Sequence, residues 1–231
     1  MGIVMNNALT LFQLCDSNFP TGAFSHSFGL ESYIQKGTVH NADTFSEWLQ
    51  VYLHEQLVYS DGLAAALVYD ALEQDDLETV WKFDRLLTVQ NLARETREGT
   101  QRIGERLLKI TETLYEAPIL AIYLDRIKKK QSYGHPALVF IMVGHFLRVD
   151  KDTILLYYLY STIASLVQNA VRAIPLGQTT GQKIIYNFQT ELTEAVRVIH
   201  NLREEDFGVV SPGLELSQMQ HERVNIRIFM S

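Results

Sequence analysis

Apolar residues recur three and four positions apart along most of the chain, the spacing that places side chains on one face of a helix. In residues 44–59, six apolar residues follow this spacing, and Thr44 with Glu47 forms the pattern of a capping box. The same period predicts helices over residues 63–72, 77–92, 104–114 and 119–130. Alternating apolar and polar residues between paired turns, which indicate strands, are missing from these stretches. The pattern therefore predicts an all-α fold.

The second half of the chain contains two longer helical patterns. Residues 152–174 are apolar nearly all round, which predicts a buried helix at the centre of the protein. Pro175 ends this pattern, and residues 185–202 then show the apolar and polar faces of a surface helix. No linker and no internal repeat divides the sequence. We therefore predict one domain, residues 1–231, forming a bundle of about eight to ten helices, with residues 1–22 and 211–231 as partner-docking extensions.

Composition and charge narrow the class of protein. The 231 residues are 47% hydrophobic and 20% charged, which is typical of a folded globular chain. Acidic side chains outnumber basic ones by 27 to 20 without a long basic run, so we expect no nucleic-acid partner. The one cysteine, Cys15, excludes an intrachain disulfide, and we expect it to be buried. Without a signal peptide or a sufficiently long apolar span, we expect a cytoplasmic protein and no membrane partner.

Catalytic and metal-binding signatures are weak. None of the seven histidines stands three or four residues from another, and none follows a glutamate by three residues. Histidines from different helices could still meet in space. Residues 177–183 contain two glycines but lack the spacing of a phosphate loop, and Ser25 beside His26 lacks the surrounding glycines of a nucleophile elbow. We therefore predict no catalytic residue, no metal ligand and no bound cofactor.

Three polar segments containing Gly or Pro are more than a plain helical bundle requires, and each resembles a motif of the UreF family of urease accessory proteins. Residues 16–31 resemble the N-terminal signature of that family, and residues 170–182 resemble its internal motif. Ser211-Pro212-Gly213, Met219, His221 and residues 227–231 are similar to its C-terminal ending. The departures from the family pattern are Ala23, Thr180, Ile228 and Met230. Because the three motifs occur in the order of the family, the chain is identified as a member.

The resemblance implies an all-α, usually dimeric protein without catalysis of its own. Such proteins act as nickel-insertion chaperones that bridge a UreD/UreH-type scaffold and the GTPase UreG, and help deliver nickel to apo-urease. Nickel and GTP would then be held by the partners. Two alternatives remain open: a generic dimeric α-helical interaction module unrelated to urease, and an α-helical enzyme with a composite site.

The internal and N-terminal motifs supply candidate partner-binding residues. Arg172 ends a predicted helix, where it could cap the helix, form a buried ion pair, or contact a partner or the second copy of a dimer. Pro175 and Gly177 set a turn that would present uncharged side chains to another protein. The candidates on this turn are Gln178, Thr179 and Gln182, and those of the N-terminal motif are His26 and Glu31. Phe19, Phe24 and Phe28 are the expected anchors into the core.

The C-terminal motif suggests a docking tail, residues 211–231. Pro212 and Gly213 would break the preceding helix, and the segment beyond them has too many apolar residues for a solvated terminus. These residues could fold back on the body, but we favour a mobile tail that becomes ordered only against the scaffold partner. The candidate contacts are His221, Ile226, Arg227 and Phe229.

The missing phosphate-loop spacing and histidine pairs generate a first prediction. The isolated chain should neither hydrolyse GTP nor bind nickel tightly at a preformed site, because it lacks the ligand patterns that both require. Isothermal titration calorimetry and a phosphate-release assay check this directly. Stoichiometric binding of nickel with a sub-micromolar dissociation constant would contradict it.

Overall fold

The computed structural model describes residues 7–208, 211–224 and 226–231. Within these residues the protein is helical and contains no strand, so the prediction of an all-α fold is confirmed. The helices are α1 (Asn7–Cys15), α2 (Leu30–Gln35), α3 (Ala42–Val51), α4 (Leu63–Glu73), α5 (Leu77–Gln90), α6 (Arg94–Tyr115), α7 (Pro118–Lys128), α8 (Pro136–Phe146), α9 (Lys151–Ala173), α10 (Gln178–Asn201) and α11 (Pro212–His221). Of the predicted N-terminal extension, residues 1–6 lie outside the described residues.

Helix α3 begins earlier than its apolar pattern predicts. Asn41 is the N-cap, and its side chain accepts a hydrogen bond from the Thr44 amide at 2.9 Å. The Thr44 hydroxyl accepts in return from the Asn41 amide at 3.2 Å, which completes a capping box. Thr44 is thus the third residue of the helix, and the expected pairing of Thr44 with Glu47 was wrong.

Helices α3 and α4 are joined by a π-helical segment, Tyr52–Gly62, without a break. The predicted gap between residues 59 and 63 does not exist, because the backbone stays helical through it. The Tyr158 hydroxyl of α9 donates to Asp61 of this segment at 2.6 Å, which ties the segment to the bundle. When α3 and α4 are counted as one continuous rod, the described residues hold ten helices, within the predicted number.

The core lies around α8, in which residues 137–144 are all buried. Helix α9 packs against α10, α8 and α1, but Tyr157 is half-buried and Tyr160 is exposed on its outer side. The sequence placed the centre at residues 152–174, whereas the structure gives the most complete burial to α8. By length and composition α9 could cross a membrane, yet half of its most apolar stretch is buried among the described helices.

Two helix starts differ from their predictions for identifiable reasons. Helix α6 begins at Arg94, ten residues before the predicted start at residue 104, and its first turns bury small residues such as Thr96, Gly99 and Thr100. Small and hydroxyl side chains leave little apolar signal in the sequence. Pro212, expected to break the preceding helix, is the first residue of α11, and the preceding helix α10 already ends at Asn201. Proline suits this position because the first helical N–H has no partner within the helix.

A buried carboxylate fixes the loop that leads into α8. Asp84 of α5 is fully buried and accepts hydrogen bonds from the Tyr123 hydroxyl, the Tyr133 amide at 2.7 Å and the Gly134 amide at 3.1 Å. The loop also lies tightly against α6, since a Cβ added to Gly104 would lie 1.9 Å from the Gly134 carbonyl oxygen. Asp84 therefore connects α5, α7 and the start of α8.

The Asp84 contacts predict a large cost for its removal. Asp84→Ala leaves three donors without their acceptor, two of them buried, so we expect a loss of about 3 kcal/mol or more in the free energy of unfolding. The matched control is Asp70→Ala, which breaks a partly exposed ion pair with Lys151 and should cost less than about 1 kcal/mol. Urea unfolding followed by circular dichroism measures the free energy of unfolding of both variants. Equal losses in the two variants would contradict the structural role given to Asp84.

Candidate functional site

The three sequence motifs meet at one place, which we call the junction: residues 22–31, 169–172, 221–224 and 226–231. The Arg172 guanidinium, at the end of α9, donates to the Phe24 carbonyl and to the Asn169 side chain. It also lies over the rings of Phe24 and Phe229, 5.7 and 5.1 Å from their centroids. Arg172 therefore contacts all three segments, and it forms no ion pair within the described residues.

The C-terminal segment is folded back on the body. The Met230 amide donates to the Ser25 carbonyl at 2.7 Å, and the Ser27 amide donates to the Ser231 carbonyl. Phe229 is buried beneath this pairing, with 3% of its surface exposed. The expectation of a mobile tail was wrong for the described residues, because backbone hydrogen bonds hold it against the N-terminal motif.

On the other side of the junction, Gly29 allows the N-terminal motif to lie close against α11. Gly29 has a φ of 94°, and a Cβ there would lie 3.0 Å from Gln218 and 3.5 Å from the Leu214 carbonyl oxygen of α11. The Ser217 hydroxyl donates to the Gly29 carbonyl at 2.7 Å, and the Ser32 hydroxyl donates to the Ser217 carbonyl at 2.8 Å. These contacts place α11 directly on α2.

Four ionisable side chains form a cluster beneath the tail, which we call the clamp: Glu31, Glu95, His221 and Arg227. His221 lies between the two carboxylates, with Nε2 2.9 Å from Glu31 and Nδ1 3.0 Å from Glu95. Arg227 donates to the other oxygen of Glu95 at 2.8 Å. Burial opposes ionisation of Glu95, but its hydrogen bonds with His221 and Arg227 prevail and lower the pKa of Glu95. The clamp thus joins α2, α6, α11 and the tail.

Glu31 also binds the backbone of the tail. Its carboxylate accepts hydrogen bonds from the Ile228 amide at 2.6 Å and from the Phe229 amide at 3.1 Å. The side chains of Glu31 and His221 are 2% and 1% exposed. Both were predicted to contact partners directly, but their burial makes them internal supports of the surface.

His26 is the second buried histidine of the junction. Its Nδ1 lies 2.7 Å from the Ser231 hydroxyl, and the Asn169 side chain donates to its carbonyl at 2.7 Å. Burial, assisted by the positive charges of Arg102, Arg106 and His221, lowers the pKa of His26 to about 4. At neutral pH the ring is therefore uncharged. Its side chain is buried, so any part that it plays in contact with a partner is indirect.

The outer side of the junction exposes large apolar groups. Ile226, Ile228 and Met230 are 84%, 57% and 56% exposed and alternate along the tail with the inward Phe229 and Ser231. Phe24, an expected core anchor, is 60% exposed, whereas Phe19 and Phe28 pack against the core as expected. Ile228 and Met230 were not among the predicted candidates, although their period-two spacing with Ile226 was the available signal. Glu95 and Asn169 were not predicted either, because nothing in the local sequence marks them.

The turn after α9 presents the polar surface that the sequence predicts. Gly177 is the N-cap of α10, and the turn places several candidate side chains in solvent beside Arg172. The exposed candidates here are Arg172, Pro175, Gly177, Gln178, Thr179 and Gln182. Of the tail candidates, Ile226 and Arg227 are exposed, and His221 and Phe229 are buried.

A cavity of about 480 Å³ lies beside the junction, and Phe24, Phe28 and Gln182 form part of its wall. Cys15 also lines it, half-buried, and burial raises the pKa of its thiol to about 12. In the parts of the chain that are described, no three His, Cys, Asp or Glu side chains are grouped to hold a metal ion. The junction is thus an ordered surface that carries exposed apolar side chains beside exposed polar ones.

Comparisons with known proteins agree with the motifs. The UreF family model matches residues 39–189. The chain is 55% identical to the urease accessory protein UreF of Lachnoclostridium phytofermentans, over 98% of this chain and 99% of that protein. It is 50% identical to the urease accessory protein UreF of Bacillus sp. (strain TB-90), over 98% of this chain and 100% of that protein.

The buried neutral His26 predicts a dependence of stability on pH. An unfolded histidine titrates near pH 6.5, so the stabilising effect of neutral His26 is complete above that pH and declines as the pH falls toward 4. In His26→Gln, the loss of stability between about pH 7 and about pH 5 should shrink by about 1 kcal/mol, allowing for solvent screening. Urea unfolding at both pH values measures it. The exposed His40→Gln is the control, and an unchanged pH dependence in His26→Gln would contradict the prediction.

Proposed function

Because the chain belongs to the UreF family of urease accessory proteins, we propose that it bridges a UreD/UreH-type scaffold and the GTPase UreG during nickel delivery to apo-urease. It is an accessory protein of the chaperone type and is not itself an enzyme. In this proposal, the protein holds the scaffold and the GTPase in a fixed relative position and regulates the GTPase.

The observation that supports this proposal most strongly is the junction, which presents two different surfaces side by side. One is the apolar row, Ile226, Ile228 and Met230, which water solvates poorly and which a partner groove would bury favourably. The other is the polar turn, residues 175–182, whose exposed amides and hydroxyl suit hydrogen-bonded and reversible contact. Arg172 lies between them and contacts Phe24 and Phe229.

We assign the apolar row to the scaffold and the polar turn to the GTPase. A permanent scaffold favours a contact with an apolar centre, whereas a GTPase that must arrive and leave favours a polar one. The exposed Arg223 and Arg227 on the tail supply charges at the rim of the apolar row. Glu31, His221 and His26 support this surface from inside, which gives these predicted residues an indirect role.

Nickel and GTP belong to the partners in this proposal, and the chain holds no cofactor of its own. We also propose a homodimer located in the cytoplasm, as the resemblance implies. Exposed Phe12 on α1, with 70% of its surface in solvent, offers a further apolar contact on the cavity that Phe24 and Phe28 also line. No nucleic acid and no membrane takes part.

The assignment of two surfaces predicts separable losses of binding. Ile226→Asp with Ile228→Asp should weaken capture of the scaffold by about a hundredfold or more, because burying each isoleucine is worth about 1.5 to 3 kcal/mol. The same variant should retain UreG recruitment when scaffold is omitted. Pull-down or surface plasmon resonance with each purified partner measures both, with circular dichroism as a check on folding.

The matched variants define what would contradict this assignment. Gln178→Ala with Thr179→Ala should lower UreG binding and leave scaffold capture unchanged, since neither side chain makes a hydrogen bond within the described residues. Ile122→Asp, on the exposed side of α7, is the control for an added surface charge. Unchanged scaffold affinity in the folded double isoleucine variant would exclude the tail as the docking surface.

A further inference from the structure

The clamp has the geometry of a histidine that carries two ring protons. His221 Nε2 and Nδ1 each face a carboxylate, Glu31 at 2.9 Å and Glu95 at 3.0 Å. A carboxylate only accepts hydrogen bonds, and a neutral imidazole donates from only one of its nitrogens. Both contacts are therefore satisfied only when His221 is a cation. A neutral His221 would direct a lone pair at one of the two carboxylates.

The charges of the clamp are balanced only in that state. Protonated His221 and Arg227 carry two positive charges, and Glu31 and Glu95 carry two negative ones. Loss of the His221 proton would leave an uncompensated negative charge at a site where His221 and Glu31 are almost wholly shielded from water. An unpaired buried charge is strongly destabilising. Opening the tail relieves it, because water then reaches the two carboxylates and replaces the donors that they lose.

Those groups belong to the tail. Glu31 binds the amides of Ile228 and Phe229, and Glu95 binds Arg227. We propose that His221 is a proton-controlled latch, which holds residues 226–231 against the body when protonated and releases them when it loses its proton. The latch itself does not depend on the proposed function. Only its consequence, the ordered presentation of the apolar row to the scaffold, rests on that function.

The other charged groups near His221 do not change the direction in which pH acts on the tail. His26, from the N-terminal motif, stays neutral across the range because its pKa is about 4. Arg102 and Arg106 of α6 act on His26, and Arg94 of α6 lies 3.7 Å from Glu222. Arginines keep their charge throughout. A contact made by the protonated histidine is complete at lower pH and is lost as the pH rises, so the tail should open toward alkaline pH.

Amide hydrogen exchange of the full chain tests the latch without any partner. The protection factors of the Ile228 and Phe229 amides, corrected for intrinsic exchange, should fall by about tenfold or more between about pH 6 and about pH 9. Amides within α8, far from the clamp, should show no such change. His200→Gln, which removes an exposed histidine beside Asp152, is the control and should behave as wild type.

Glu95→Gln is the decisive variant. The retained oxygen of the new amide can still accept from Arg227, while its NH₂ group can donate to an unprotonated His221 Nδ1. Tail protection should then stay high at both pH values. His221→Gln cannot satisfy both carboxylates, so its protection should be low and independent of pH.

Two results would overturn the latch. One is wild-type tail protection that does not change with pH, and the other is a fall in Glu95→Gln as large as in wild type. If His221→Gln does not fold, the nitrogen chemical shifts of His221 in the wild-type protein decide the point, because a neutral ring at about pH 6 would exclude the latch. If hydrogen exchange excludes the latch, the binding assays still decide whether the tail docks on the scaffold. If the binding assays exclude docking, the hydrogen-exchange result for the latch still holds.

Discussion

The buried carboxylate of Glu31 is the constraint on which the surface of this protein depends. A carboxylate with 2% of its side chain exposed must be surrounded by donors. It obtains two of them from the backbone of the tail and a third from His221 at the end of α11. The path of the last residues is therefore set by the hydrogen-bonding needs of one side chain near the N-terminus, and the outward direction of Ile226, Ile228 and Met230 follows from it.

This arrangement lets a short segment remain ordered while exposing apolar side chains. A tail with isoleucines in solvent would ordinarily collapse onto the body or stay disordered. Here the inward positions are fixed by buried Phe229 and by hydrogen bonds between main chains, so the outward positions need no partner to hold their shape. A surface that is ordered before binding loses less conformational entropy when a partner covers it.

Local patterns predicted the helices well and also predicted the family. Helical periodicity and family motifs both depend on residues that are close together in the sequence. The errors arose where distant residues decide the outcome. Nothing near Glu31 indicates that His221 is its partner, since 190 positions separate them. Phe24 looks like a core anchor in sequence, yet Arg172 holds it at the surface. The capping box of α3 was misjudged for a different reason, because capping roles depend on backbone geometry that several sequences share.

The π-helical segment between α3 and α4 has a consequence for how chains of this kind can vary in length. Each residue of an α-helix turns the chain by roughly 100°. A π-helical stretch has more residues per turn, so it accommodates an extra residue that a regular α-helix of the same length would not. Deleting a single residue from Tyr52–Gly62 would draw the stretch toward α-helical geometry and rotate α4 relative to α3. Asp61 would then turn away from the Tyr158 hydroxyl. Insertions and deletions in related chains should accordingly avoid these eleven positions and collect in the loops.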